Sequence, residues 1–390
     1  MFHSHHQSHL LHFWRQGHLL RGLPVPFDLP QNVQTLDLLN QAYQSHLHPP
    51  SISSFPIQIG PIQVGCPRYD RLFPPSQTWE KGKVAVCITH DVDLFDGLSY
   101  FPLRFAGWMK TIMQNWKTQP LHSNRTFKRA CNWLPLWWRG EDPIAQFQPW
   151  LDLSKKYDFK STYFFLSVEK ALSKEGRLYT FSDPRVSSLL KTLQNHGHEI
   201  GLHANRFESG TVDGLIKQKR RLEAVLDGGV HHVRHHCLTL SFPTGWYDLV
   251  QAGFTLSSNL GHHPPHQGYL NGSAWPFPIL SPKDSLPTPS TLSHIWECPM
   301  AIMDVAYGPA ASRLWASTVH LLQELKERGG VLVLNFHPHY RLEIEAPGIH
   351  AQYLRILDDL CRARDEGWLD FLSLGQIEQK LNQRFSDSLL

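Results

Sequence analysis

The chain has 390 residues, of which 41% are hydrophobic and 18% charged, so it can bury a large core and carries too little charge for a disordered protein. Its 37 Lys and Arg residues against 34 acidic residues give a formal net charge of +3, and this balance predicts neither a nucleic-acid partner nor an anionic-membrane partner. No stretch reaches the roughly 18 to 20 apolar residues of a membrane span. The N-terminus has no secretory-signal pattern and the six cysteines contain no C-x-x-C pair, so we expect a reduced, cytoplasmic protein.

The first 80 residues differ in composition from the rest and predict an accessory region. Their early part is rich in His and Leu, and SISSFPIQIGPIQVG then alternates apolar and polar residues between Gly and Pro, which predicts a short strand pair. The polar, Pro-containing stretch that follows predicts a boundary. We therefore expect an N-terminal accessory region at 1–80 and one domain at 81–390.

From Val84 onwards, short apolar runs alternate with amphipathic helices. Predicted strands lie in VAVCITHDVD, STYFFL, HEIGLH, HVRHHCL, FTLSSN, HIWECPMAIMD, VLVLNFH and WLDFLSL. Predicted helices cover 144–157, 182–197, 212–226, 245–253, 311–328 and 351–366. Nearly all-apolar strands that alternate with helices predict an α/β fold with a parallel sheet buried on both faces. With about seven such units, closure into a barrel is favoured over an open sheet.

Titratable side chains gather at the predicted carboxyl ends of these strands, where an α/β barrel carries its functional residues. Asp91 and Asp93 are two positions apart and so share one face of their strand. Two neighbouring carboxylates need a cation close by, and a divalent metal ion held by an Asp and two His residues is the simplest solution. The alternative is structural, with the acids capping helices or pairing with Arg. The further strand-end candidates are His203, Arg234, His235, His236, Asp304, His337 and His339.

The motifs THDVD, KSTYFFL, GHEIGLH, VRHHCL and NFHPHY, in this order, resemble those of the polysaccharide deacetylase group (NodB-type, carbohydrate esterase family 4). The resemblance spans roughly residues 84–378 and is to the divergent branch whose first motif is D-x-D. It implies a distorted (β/α)₇ barrel and metal-dependent removal of acyl groups from N-acyl sugars.

Residue by residue, the resemblance implies that Asp91 is the catalytic base, that Arg234 orients this base and that His337 protonates the leaving amine. It implies Asp93 and His203 as metal ligands. The family's second metal histidine falls on Phe207, where this chain departs from the pattern.

We take His236 as the replacement third ligand, with His235, His198 and His337 as alternatives. Zn²⁺ is the metal expected for such mixed imidazole and carboxylate ligands.

The segment 97–150 between the first two strands carries six of the thirteen tryptophans. These rings could contact a sugar or simply pack the segment onto the barrel, and both alternatives stay open.

The sequence thus predicts a metal-dependent hydrolase of a non-peptide C–N bond, acting on an N-acyl sugar or glycan precursor. The alternatives are a cyclic-amide hydrolase on the same scaffold and a non-catalytic carbohydrate-binding relative.

Overall fold

The computed structural model describes residues 83–387 apart from 96, 118–123, 125–126, 129, 132–133, 136–137, 140–146, 171, 174–175, 178, 242–243, 263–266, 271–273, 281–293, 307–311 and 339–347. The predicted accessory region at 1–80, its strand pair, its boundary and His339 lie outside the described residues.

A curved, mainly parallel sheet forms the centre of the domain. Its strands are β1 (Val84–Val92), β2 (Ser161–Leu166), β5 (Glu199–Ala204), β6 (His232–His235), β7 (Leu256–Ser257), β8 (Phe277–Leu280), β9 (His294–Glu297), β10 (Met300–Met303), β11 (Gly330–Asn335) and β12 (Leu369–Phe371). A separate hairpin pairs β3 (Leu172–Ser173) with β4 (Gly176–Arg177).

The flanking helices are α1 (Gly97–Asn115), α2 (Phe147–Tyr157), α3 (Pro184–Asn195), α4 (Val212–Glu223), α5 (Thr244–Gln251), α6 (Ser312–Arg328), α7 (Ile349–Asp365) and α8 (Leu374–Asp387). Helix α3 shows how the sequence sets these bounds. The Asp183 side chain caps its first turn by accepting from the N–H of Arg185 at 2.9 Å, and Pro184 occupies the first turn. Gly197 follows its end at φ +77°, a conformation that favours glycine.

One interrupted segment closes the sheet into a distorted barrel. The sheet order is β10-β11-β1-β2-β5-β6-β7-β9-β8, and β9 pairs parallel with β7 while β10 pairs parallel with β11. Because β9 and β10 are consecutive in the chain, the segment 294–303 joins the two ends of the parallel series. In the described part of the chain this makes seven parallel positions around the barrel, as the sequence predicted.

The core lies on both sides of this sheet. Along β1, Ala85 and Cys87 belong to one buried cluster, whereas Val84, Val86 and Ile88 belong to another. Strand β1 is buried over its whole length, which confirms the prediction of a sheet covered on both faces. Odd-numbered residues of β1 therefore share one face, and the two aspartates follow on that face.

The elements differ from the sequence predictions in several places. The predicted single strand HIWECPMAIMD is two strands separated by Cys298 and Pro299, which switch the pairing from β7 to β11. Helix α1, the β3–β4 hairpin and strand β8 were not predicted. Of the predicted helix 144–157, the structure describes α2 from Phe147 onwards, and 144–146 lie outside the described residues. Helix α8 was not predicted, although Leu374, Ile377 and Leu381 recur at helical spacing and are buried.

Candidate active site

Asp91 and Asp93 lie at the carboxyl end of β1, where the sequence placed them. Asp91 is 4% exposed, and Asp93 directly follows the last strand residue, Val92. Their neighbours across the sheet are polar too. The register of β5 against β6 pairs His203 with Arg234 and brings both to the same end of the barrel.

Arg234 is fully buried and contacts Asp91. Its Nη1 donates to Asp91 Oδ1 at 2.9 Å and to the Thr89 hydroxyl at 2.9 Å. Arg234 contacts the carboxylate through Nη1 alone, because Nε donates to the Ser258 carbonyl at 2.9 Å and Nη2 to the Ser258 hydroxyl at 2.8 Å. The guanidinium also lies 4.5 Å from the centre of the Phe164 ring.

Asn335 completes the contacts of Asp91, and the sequence reasoning missed it. Its amide Nδ2 donates to Asp91 Oδ2 at 2.8 Å. Burial raises the pKa of the Asp91 carboxyl, but Arg234 and the nearby His203 and His337 oppose this effect, so the net pKa lies below its usual range. Asp91 is therefore held as an ionised, oriented carboxylate.

His203 and Asp93 meet in an unusual way. The Nδ1–H of His203 donates to the Arg234 carbonyl at 3.0 Å, so Nε2 is the ring atom that points at Asp93 Oδ1, 3.2 Å away. Asp93 Oδ1 is buried and accepts no hydrogen bond from the described residues. Two lone pairs facing each other at this distance repel unless a cation lies between them, either a proton on Nε2 or a metal ion.

His236 supplies the third convergent group. It follows β6 in a 3₁₀ turn, in which Cys237 and Leu238 take the left-handed φ values of 56° and 50° that are uncommon outside glycine. Its Nε2 lies 3.9 Å from Asp93 Oδ1, and its ring meets the His203 ring edge-on at 5.3 Å. The ligand atoms of Asp93, His203 and His236 all lie within 4.8 Å of one another.

Two of the alternative ligands are occupied elsewhere. His235 is buried with Nδ1 3.1 Å from the Asn259 side-chain oxygen, and burial lowers its pKa to about 4. His198 lies at the amino end of β2, where its Nδ1 accepts from the N–H of Ser161 at 3.0 Å and its Nε2 contacts the Ser154 hydroxyl at 3.2 Å. Neither belongs to the cluster that Asp93 forms in the described chain.

His337, which follows the end of β11, approaches the same ligand cluster. Its Nε2 lies 3.8 Å from Asp93 Oδ2, while its Nδ1 lies 2.7 Å from Asp304 Oδ1 and its backbone N–H donates to Asp304 Oδ2 at 2.8 Å. Burial lowers the pKa of the imidazole, but Asp304 and then Asp93 and Asp91 raise it more, to about 9. The Asp304 carboxylate therefore favours the protonated form of His337.

Asp304 is one of the strand-end candidates, and in the structure it holds His337. It is fully buried and also accepts from the Tyr353 hydroxyl at 2.8 Å, so its carboxylate is fixed before it meets His337. Its position just after β10, facing the end of β11, was the available sequence signal.

A second buried carboxylate supports the site from further away. Glu297 accepts from Trp246 Nε1 at 2.8 Å, from the backbone N–H groups of Asn259 at 2.8 Å and Leu260 at 2.7 Å, and from the Ser257 hydroxyl. These contacts fix the loop after β7, which carries the Ser258 groups that hold Arg234.

Phe207 stands where the resemblance would place a metal histidine, and it is 50% exposed. The Asn205 side-chain oxygen accepts from the N–H groups of Phe207 at 3.1 Å and Glu208 at 2.9 Å, which shapes this turn after β5. A phenyl ring offers no ligand atom, so the third ligand has to come from another strand end.

No protein-family profile matches the chain, and no curated protein matches it significantly. Among solved structures, a putative polysaccharide deacetylase from Mycobacterium smegmatis is 17% identical, with 78% of this chain and 93% of that chain covered and a TM-score of 0.49. A family 4 carbohydrate esterase from Bacillus anthracis is 12% identical, with 82% and 95% covered and a TM-score of 0.34. The catalytic domain of a peptidoglycan N-acetylglucosamine deacetylase from Eubacterium rectale is 10% identical, with 74% and 88% covered and a TM-score of 0.34. Each of these names states the activity of the neighbouring protein itself.

Proposed function

We propose that the protein is a metal-dependent hydrolase of a non-peptide C–N bond that deacylates an N-acyl sugar or glycan precursor. The observation that carries this proposal is the convergence of Asp93, His203 and His236, whose ligand atoms lie within 4.8 Å of one another, with Asp93 Oδ1 accepting no hydrogen bond from the described residues. A divalent cation at their centre would bind all three groups at once.

The donor set fits a divalent metal ion. Ligands about 2.0 to 2.1 Å from a tetrahedral Zn²⁺ lie about 3.3 Å from each other, and the contacts of 3.2 Å and 3.9 Å around Asp93 Oδ1 bracket this spacing. The Nδ1–H bond of His203 to the Arg234 carbonyl is the outer contact that orients a metal-binding imidazole. Three protein ligands leave a coordination position open, as hydrolytic sites require.

Asp91 is placed to act as the base. A bound metal ion would polarise the acyl carbonyl and make water easier to deprotonate. Asp91 Oδ2 lies 4.0 Å from His203 Nε2, so the carboxylate borders the ligand cluster without belonging to it. Held by Arg234 and Asn335, it can accept the proton of an attacking water.

His337 is placed to act as the acid. Its Nε2 faces the cluster, and Asp304 on Nδ1 stabilises the protonated ring. An amide nitrogen is a poor leaving group until it is protonated, and a protonated His337 beside the same ligand cluster as Asp91 can supply that proton. A base and an acid that border one ligand cluster favour hydrolysis over binding alone.

The sugar is proposed from the motif resemblance, and the chemistry of the site suits any N-acyl group. The test is release of acetate from N-acetylglucosamine oligomers by metal-loaded protein, compared with the same protein treated with a chelator and with Asp91→Asn. We expect turnover to need metal and to fall about 10²- to 10⁴-fold in Asp91→Asn with metal content unchanged.

Hydrolysis of cyclic amides but not of acyl sugars would support the alternative hydrolase. Sugar binding without turnover would support the binding relative. Protein that holds no metal, even after metal is added, would refute the proposal.

A further inference from the structure

The segment from Gly97 to Gly140, which leaves the barrel after β1, has a charge composition unlike the rest of the chain. It contains seven Lys and Arg residues, five Trp residues and no Asp or Glu. The remainder of the chain therefore has 30 basic against 34 acidic residues. The near-neutral net charge of the whole chain therefore hides a local excess of positive charge. The expectation of no anionic-membrane partner was drawn from that total and does not apply to this segment.

Helix α1 and the turn that follows it expose an apolar stripe. Trp108 and Ile112 are 9% and 7% exposed, so the helix rests on the protein through this face. Met109, Met113 and Trp116, at i, i+4 and i+7, are 36%, 78% and 63% exposed. Of the two alternatives for the aromatic residues, packing is thus confirmed for Trp108, whereas Trp116 faces outward.

Exposed lysines flank this stripe, and the apolar exposure continues along the segment. Lys110 on α1 and Lys117 in the turn after it lie beside the stripe and are both exposed. Further along, Phe127, Leu134 and Trp138 are 49%, 42% and 81% exposed. Among the described residues, six of the seven large hydrophobic side chains that are exposed belong to this one segment.

We propose that the end of helix α1 and the turn after it, with the apolar side chains Met109, Met113 and Trp116 and the lysines Lys110 and Lys117, dock the protein onto the surface of a bilayer that contains anionic lipids. Tryptophan and methionine side chains enter the boundary between headgroups and acyl chains, while lysines extend their charged ends to the headgroups. The basic residues complement the negative charge of anionic lipid headgroups. No carboxylate within 97–140 would be repelled by those headgroups, because this stretch contains no Asp or Glu.

The mode of attachment is peripheral. In the described part of the chain, no helix is long and apolar enough to cross a membrane. Helix α1 begins four residues after Asp93, at the end of the barrel that carries the candidate site. Docking through this segment would therefore favour substrates presented at a membrane surface.

The test is co-sedimentation of the full chain with vesicles of phosphatidylcholine, with or without phosphatidylglycerol, at low ionic strength. We expect binding to the anionic vesicles only, and its loss in about 1 M NaCl, where the Debye length is about 3 Å. One basic residue near an anionic surface contributes roughly fivefold to binding. Lys110→Glu with Lys117→Glu should therefore weaken binding more than tenfold, and Met113→Ser with Trp116→Ser should weaken it as well.

Matched controls are Lys191→Glu on α3 and Phe207→Ser, which change an exposed lysine and an exposed aromatic residue outside the segment. Both should bind vesicles like the unaltered protein. Any of three results would overturn the proposal. They are equal binding to neutral and anionic vesicles, no binding to anionic vesicles, and binding that the substitutions at 110, 113, 116 and 117 do not change. Binding to soluble polyglutamate but not to vesicles would assign the segment to an acidic macromolecule instead. Because the assay uses no substrate and can be run with chelator, its outcome is independent of the hydrolase proposal.

Discussion

The imidazole Nδ1 of His337 lies 2.7 Å from Asp304 Oδ1, and the backbone N–H of His337 donates to the other oxygen of the same carboxylate. Both residues are buried, at 5% and 0% exposure. This two-point contact sets the orientation of the ring, and the negative charge favours its protonated form. Nε2 is left to face the ligand cluster.

If His337 protonates the leaving amine, His337→Ala should affect substrates according to their leaving groups. We expect turnover of an N-acetyl sugar to fall by about 10²- to 10⁴-fold. Turnover of an activated aryl acetate should fall much less, because its phenolate leaves without a proton. Steady-state kinetics on both substrates, with metal content measured alongside, provides the check.

Asp304→Asn is the companion variant, since it keeps the size of the side chain but removes its charge. It should reduce amide turnover and leave the aryl ester nearly unaffected. Equal losses on both substrates together with loss of metal from His337→Ala would instead make His337 the third ligand.

The contact of His337 with Asp304 should also make folding stability depend on pH. The pKa of His337 is about 9 in the folded protein, above the ordinary value of about 6.5. The stabilisation is therefore fully present below pH 6.5 and is lost as the pH rises through 9. In chelator-treated protein we expect it to amount to at most about 3 kcal/mol of unfolding free energy.

Urea unfolding between pH 6 and pH 10, compared with Asp304→Asn, measures this contribution. The difference in unfolding free energy between the unaltered chain and Asp304→Asn should shrink as the pH rises across that window. The control His196→Gln, at an exposed residue, should show the same pH dependence of unfolding free energy as the unaltered chain. A constant difference between the unaltered chain and Asp304→Asn would show that Asp304 acts only through packing.

The ligand assignment predicts which substitutions remove the metal ion. Asp93→Ala, His203→Ala and His236→Ala should each lower metal affinity by orders of magnitude, since each deletes one of three protein ligands. Elemental analysis after dialysis and titration with Zn²⁺ measure the loss. His196→Ala, at an exposed histidine, should retain full metal content.

Full occupancy in His236→Ala would contradict the replacement of the missing histidine by His236. The metal centre would then rest on Asp93 and His203 with a ligand from elsewhere.

Glu297→Gln should disturb the site without touching it. In this variant an amide NH₂ group replaces one carboxylate oxygen, and an NH₂ group cannot accept a hydrogen bond. It would face the N–H or O–H group of Trp246, of Ser257 or of the β7 loop backbone, which would lose its acceptor. One such unmet contact costs about 1 to 3 kcal/mol of unfolding free energy. We also expect lower turnover, because the loop holds Arg234 through Ser258.

Thermal or urea unfolding together with kinetics tests this, and Glu327→Gln at an exposed position is the matched control. Normal stability and normal turnover in Glu297→Gln would remove Glu297 from the support of Arg234.

The fold class and the strand-end residues were predictable because they depend on local pattern. Apolar runs of strand length separated by amphipathic helices specify buried parallel strands, and the alternation of side chains puts Asp91 and Asp93 on one face. Parallel strands all end at the same rim, so His203, Arg234 and His337 could be assigned to it from chain order alone.

Contacts between residues distant in sequence were decided by the tertiary structure. Three contacts depend on the register of neighbouring strands, which periodicity does not encode. They are the contact of Asp304 with His337, that of Asn335 with Asp91 and the two hydrogen bonds that Arg234 donates to Ser258. The closure of the barrel at Cys298 and Pro299 likewise depends on strand pairing, since β9 before these residues pairs with β7 and β10 after them pairs with β11. Local pattern determines which face a side chain takes, whereas the close approach of two side chains is set by how the strands pack together.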